Sequence, residues 1–173
     1  MEHASIYVAA FMIGFLLIGF IRMYRSKDAK LRNKIESGKF IGSNEFYNHW
    51  IIERGKVGYK YMDTPGCYII LIFDKPVRRN NFHRYKEVYI GQSIHVMERV
   101  RQHFTGHGNG DVYADIKYGK SVYVRIVPCK KNSLNKMEKN LIRAFHATES
   151  YNQTSGGSKL RCTGIVMVGL RTP

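Results

Sequence analysis

Residues 66–104 read GCYIILIFDKPVRRNNFHRYKEVYIGQSIHVMERVRQHF, and the fold is decided there. Cys67 to Phe73 is an unbroken apolar run of strand length that stops at Asp74, Lys75 and Pro76. Lys86 to Ile90 is a second strand, closed by Gly91. Beyond it the period changes. Val96, Val100 and Phe104 recur every four residues, which predicts a helix with one buried stripe, and Ser93 is placed to cap it. Downstream, Ser121 to Val127 alternates as a third strand, and Ser133 opens a last helix from Leu134 to about Ala147. The order β-β-α-β-α predicts a small α/β layer fold with a largely antiparallel sheet.

Upstream, residues 4–21 read ASIYVAAFMIGFLLIGFI, eighteen residues without a charge. As a helix they extend about 27 Å, against a hydrocarbon core of about 30 Å. The expectation is one N-terminal transmembrane helix, with residues 1–21 as the anchor. A cleaved signal needs a basic n-region and a small-residue cleavage site, whereas here Met1, Glu2 and His3 precede the run and Arg22, Met23, Tyr24 and Arg25 follow it. A core helix of a soluble domain would carry a polar stripe, and this run has none. Arg22, Arg25, Lys27, Lys30, Arg32 and Lys34 all lie after the run, so the positive-inside rule puts the remainder on the cytoplasmic side of a cell membrane. Cys67, Cys129 and Cys162 match no zinc spacing and read as free thiols of a reducing compartment. Residues 22–40 read as a basic stalk resting on anionic headgroups. Residues 41–64 form a lead-in in which Phe46, Tyr47, Trp50, Ile51 and Ile52 cluster, 65–160 the main domain, and 161–173 a tail.

With 44% apolar and 13% aromatic residues the chain is no disordered tail. Lys and Arg number 28 against 13 acids, a net charge of +15, which calls for a polyanionic partner. Residues 41–173 hold 21 of those cations and ten of the acids, so a juxtamembrane patch alone does not account for the excess.

Chemistry concentrates in a few places. His95, Arg99 and His103 recur one step round from the buried stripe of their helix, which puts a basic row at the rim of any cleft it borders. Glu138 has Leu134, Asn135, Leu141 and Ile142 as helix neighbours, so no cation in its own helix pairs with it; a metal ion, an arginine or protonation must compensate it. Tyr68 and Tyr89 each sit in a short strand ahead of an isoleucine, either as core residues or as two phenols facing one cleft. His103 and His107 are four apart, but Gly106 ends the helix between them and argues against zinc.

Gly66-Cys67-Tyr68, Tyr89-Ile90-Gly91, Arg99, His103, Glu138 and Asn152, taken in this order, resemble the GIY-YIG nuclease superfamily over about residues 65–155. Cys67 stands where the first motif usually has isoleucine, and a packing difference is the expected consequence. The resemblance implies a three-stranded antiparallel sheet flanked by helices (α+β). It also implies a Mg²⁺- or Mn²⁺-dependent phosphodiesterase whose tyrosines, arginine and glutamate meet in one shallow cleft. Glu138 would hold the metal, which keeps most of its water, and Arg99 would grip the scissile phosphate. Tyr68, Tyr89 and His103 are the candidates for moving protons, without a choice between them. Asn152 would close the cleft by hydrogen bonding, or merely cap a turn.

DNA grip is expected from the loop after the first strand, where Arg78, Arg79, His83, Arg84 and Lys86 surround Phe82 and Tyr85 and combine phosphate contacts with stacking. Lys130, Lys131, Lys136 and Lys139 form a second patch. These readings describe a membrane-tethered, cytoplasmically facing, metal-dependent DNA endonuclease, suited to restricting phage or other incoming DNA. The alternatives are an anchored DNA-binding protein without catalysis and an exported scavenging nuclease.

Overall fold

The structure, a computed structural model, describes residues 2–56 and 63–152; the side chains of residues 2–10, Phe15 and Glu53 are outside that description, as are Cys162 and the expected tail. Four strands form one antiparallel sheet: β1 (Ile41–Gly42), β2 (Gly66–Phe73), β3 (Glu87–Ser93) and β4 (Ser121–Pro128), in the spatial order β1-β4-β2-β3. The expected three-stranded sheet is therefore corrected to four. Only Ile41 and Gly42 join the edge, opposite Val124 and Tyr123, and two residues are too few to show the alternation that betrays a strand.

All eight residues of β2 are buried. Both faces of this inner strand are covered, which is why its sequence reads as a continuous apolar run rather than alternating. Cys67, Ile69, Leu71 and Phe73 face one core, which α5 (Leu134–Ala144) supplies with Leu141 and Ile142. Tyr68, Ile70 and Ile72 face the other, filled by Phe46 and Trp50 of α2 (Ser43–Arg54), Val96, Val100 and Phe104 of α3 (Val96–Phe104), and Val112 of α4 (Gly110–Lys117). A one-residue slip of β2 would exchange the two sets, so its register is strongly specified.

Two helix starts differ from expectation. Ser93 accepts a hydrogen bond from the His95 N–H at 3.0 Å, but α3 begins only at Val96. Its free N–H groups are met by the Asp63 carboxylate, which accepts from Met97 at 3.0 Å and Glu98 at 3.2 Å. Helix α4 was not anticipated. Asn109 caps it, accepting from the N–H groups of Asp111 and Val112.

The stretch read as a stalk is the second half of α1 (Glu2–Glu36), and it ends inside the domain. Ile35 and Glu36 are buried. Arg143 of α5 donates twice to Asp28, at 2.7 and 2.8 Å, and the Glu36 carboxylate is held by Arg32 at 2.7 Å and by His83. Leu31 and Ile35, four apart, form the docking stripe. Among the described residues no helix is long and apolar enough to cross a membrane, so the expected transmembrane helix is not an element of the described fold. The described large apolar side chains from Phe11 to Ile21 are exposed.

Candidate active site

Tyr68 of β2 lies opposite Gly91 of β3. A Cβ at Gly91 would overlap the Tyr68 hydroxyl, so only glycine lets the phenol lie flat across the neighbouring strand. Tyr68 and His103 are almost completely buried, at 1% and 0% exposure, and the Tyr68 hydroxyl is 2.7 Å from His103 Nε2. On the other side of the imidazole, Nδ1 accepts the Asn109 N–H at 2.7 Å. Gly108 makes this approach possible, since a Cβ there would overlap Nδ1. Tyr89 completes the cluster, with ring centroids 4.9 Å from His103 and 6.2 Å from Tyr68.

The backbone donor at Nδ1 fixes the direction of the chain of hydrogen bonds. A neutral imidazole accepting at Nδ1 carries its proton on Nε2, so His103 donates to the Tyr68 oxygen and leaves the Tyr68 proton to point elsewhere. His103 stays neutral because burial, reinforced by the Arg99 charge, pushes its pKa down to about 3. Burial also raises Tyr68 well above the ordinary phenol value, with Tyr89 adding to the shift and Arg99 opposing it. Tyr89 is raised by burial as well, while Arg99 and a hydrogen bond from Tyr68 favour its ionised form. Of the two phenols, Tyr89 is the less buried, and the hydrogen bond from Tyr68 favours its ionised form.

Arg99 of α3 is partly exposed and donates from Nη1 to Gln102 at 2.8 Å. Glu138 approaches from the opposite face of the sheet, half-buried on α5, where Gln92 Nε2 donates to its Oε2 at 2.9 Å and to Asn135 at 2.5 Å. Gln92, next to Gly91 on edge strand β3, ties Glu138 to the end of the sheet where the Tyr68 phenol crosses Gly91. Glu138 is close enough to Tyr89 and Cys67 to disfavour ionisation of both. Tyr68, Tyr89, Arg99, His103 and Glu138 are thus brought together. Among the described residues no group of three or more His, Cys, Asp or Glu side chains forms a metal cage. The donor set fits a hard cation that keeps most of its water and takes one protein carboxylate.

Asn152 is hydrogen-bonded to the edge of the sheet. Its Oδ1 accepts the Ile90 N–H at 2.8 Å and its Nδ2 donates to the Ile90 carbonyl at 2.7 Å, so both ends of the amide are used on the open edge of β3. It thereby fixes the edge strand that carries Tyr89 and Gly91.

The loop expected to grip DNA is displaced from this centre. It leaves β2 after Phe73, five residues beyond Tyr68, about 17 Å along the strand. His83 is bound to Glu36 and Lys86 is 3.3 Å from Asp74. Phe82 is a core residue and the Tyr85 hydroxyl donates to the Phe145 carbonyl at 3.3 Å, so neither ring is offered for stacking. Arg78, Arg79 and Arg84 remain exposed at the far end of the sheet.

A family model described as the GIY-YIG catalytic domain matches residues 65–152, just over half of the 173-residue chain. The chain belongs to the GIY-YIG family. No curated protein and no solved structure matches it. The GIY-YIG domain marks the protein as a nuclease, with endonuclease activity on DNA, and GIY-YIG nucleases generally use divalent metal ions. The departure at Cys67 is a packing matter: the side chain is fully buried and its thiol donates to the Leu134 carbonyl at 3.7 Å. Sequence reasoning missed Asp63, Gln92 and Asn109. Asn109-Gly110-Asp111 was readable as a capped helix start; Gln92 and Asp63 act across 46 and 34 residues and left no local signal.

Proposed function

We propose that this GIY-YIG domain hydrolyses DNA phosphodiester bonds internally, with one Mg²⁺ (or Mn²⁺) bound at Glu138. The observation that carries this reading is that Tyr89, packed beside Tyr68 and His103, is influenced by both the Arg99 guanidinium and the Glu138 carboxylate. A bound divalent ion supplies positive charge at the phosphoryl and departing 3′ oxygens. The chain supplies the rest. Glu138, oriented by Gln92, holds the ion's place, and Arg99 binds a non-bridging oxygen of the scissile phosphate as charge builds there. Tyr89 accepts the proton of the attacking water, favoured in that role by Arg99 and by the Tyr68 hydroxyl. His103 donates to Tyr68 and keeps the relay pointed toward Tyr89; with a pKa of about 3 it is not a base at neutral pH. Water oxygen bonds to phosphorus as the bond to the 3′ oxygen breaks.

The exposed apolar side chains from Phe11 to Ile21, followed by Arg22, Arg25, Lys27 and Lys30, support attachment of α1 to a membrane with the nuclease on the cytoplasmic side. Cleavage confined to that surface suits restriction of incoming DNA.

Plasmid nicking with and without chelator tests the catalytic reading. Tyr89→Phe is expected to lose more activity than Tyr68→Phe, and the reverse order assigns the base to Tyr68. Vesicle flotation of the full chain against one lacking residues 1–21 tests attachment: equal flotation of the two contradicts it.

A further inference from the structure

We infer that the DNA backbone is held at the corner between β4 and α5, by Lys130, Lys131, Lys136 and Lys139, rather than by the loop between β2 and β3. The inference rests on the endonuclease reading and adds the surface on which the substrate lies. Pro128 pairs with Gly66, and the Cys129 N–H donates to the Pro65 carbonyl at 3.1 Å, so the chain leaves β4 at the same end of the sheet as Tyr68. Lys130 and Lys131 follow at once, both exposed. Helix α5 then starts with its Asn135 and Glu138 turned to Gln92. Lys136 and Lys139, three apart and both exposed, share one face of this helix, while Lys139 lies one turn on from Asn135.

Among the described residues these four cations have no acidic ion-pair partner, whereas Lys39, Lys86, Lys120, Arg32, Arg101 and Arg143 do. No acid occurs between Cys129 and Met137. Clustered like charges disfavour the free protein and are relieved by a polyanion. From Lys131, in the 3₁₀ turn Lys131–Ser133 that precedes α5, to Lys139 is about 13 Å, the axial length of about four base pairs at roughly 3.4 Å each. This track starts at the Tyr68 end of β2, where Pro128 pairs with Gly66, whereas the rival loop leaves the other end of that strand, about 17 Å away.

The test is binding of the full chain to a 30-base-pair duplex, without divalent metal, over a range of salt concentrations. Replacing all four lysines with glutamine is expected to flatten the plot of log K against log salt by about 0.9 per lost phosphate contact, a fall of about three units or more. With metal present, KM for cleavage rises while kcat stays near the unsubstituted value, the mark of lost uniform binding. Lys139→Glu alone reproduces the direction should the fourfold variant fail to fold. An unchanged slope in both variants overturns the inference, as does a loss of slope that follows Arg78→Gln, Arg79→Gln and Arg84→Gln instead. In those cases the unsubstituted chain still binds and cuts. A chain that neither binds nor cuts DNA removes the endonuclease reading itself.

Discussion

Gly91 is the residue around which the others are arranged, because the Tyr68 hydroxyl occupies the space its side chain would need. Gly91→Ala is expected to displace the phenol and lower kcat about 100-fold, the usual consequence of a shift near 1 Å in a catalytic group, measured by single-turnover nicking. The raised phenol pKa values set the pH dependence. With a phenolate as base, the rate should climb about tenfold per pH unit through neutrality toward 10; a rate that is flat through neutrality would instead exclude a phenolate base. His103 also affects stability. Its folded pKa of about 3 lies below the ordinary 6.5, so the unfolded chain binds the proton first as pH falls. Stability contributed above pH 6.5 is then lost by up to about 1.4 kcal/mol per pH unit down to about 3. Denaturant titrations of His103→Gln should show a shallower acid loss. The candidate side chains were singled out in sequence because motif and spacing carry them. Gln92 and Asn109 were not, since an amide acting across the sheet and a main-chain N–H leave no pattern.

Among the elements, the long periodic ones were readable and the short ones were not. Strands β2 to β4 and helices α3 and α5 follow from apolar runs and fourfold spacing, whereas β1 is two residues long and α4 is marked mainly by its cap. The start of α3 depends on a distant carboxylate. Removing it in Asp63→Ala should cost about 1 kcal/mol, within the 0.5–2 kcal/mol of lost helix caps, and loosen the helix that presents Arg99. Asn152→Ala leaves the buried Ile90 N–H unpaired, a cost of about 1–3 kcal/mol. Its kcat should fall while half-saturation by Mg²⁺ stays unchanged, which separates a positioning role from metal binding.

For the molecule as a whole, α1 joins two regions that the sequence presents as independent. Its last turns belong to the core through Ile35 and Glu36, while the described large apolar side chains from Phe11 to Ile21 are mostly exposed and are not members of the core cluster. Removing residues 1–21 should leave the melting temperature nearly unchanged. Removing residues 1–39 strips Ile35 from the core and leaves His83 and Arg143 without Glu36 and Asp28; burying one such aliphatic chain is worth about 1.5–3 kcal/mol, and a lower melting temperature is expected. The docking contacts lie at Arg143, in the last turn of α5, while Asn135 and Glu138 occupy its first turns, so α1 leaves the cleft uncovered. The central claim is that this cleft cuts DNA with a divalent ion at Glu138. Its most direct test is plasmid cleavage by the full chain with Mg²⁺, beside Glu138→Ala and Arg99→Ala. The account predicts nicking that chelator abolishes and that each substitution lowers by at least about 100-fold. Cleavage that persists in Glu138→Ala, or that is indifferent to Mg²⁺, would contradict it.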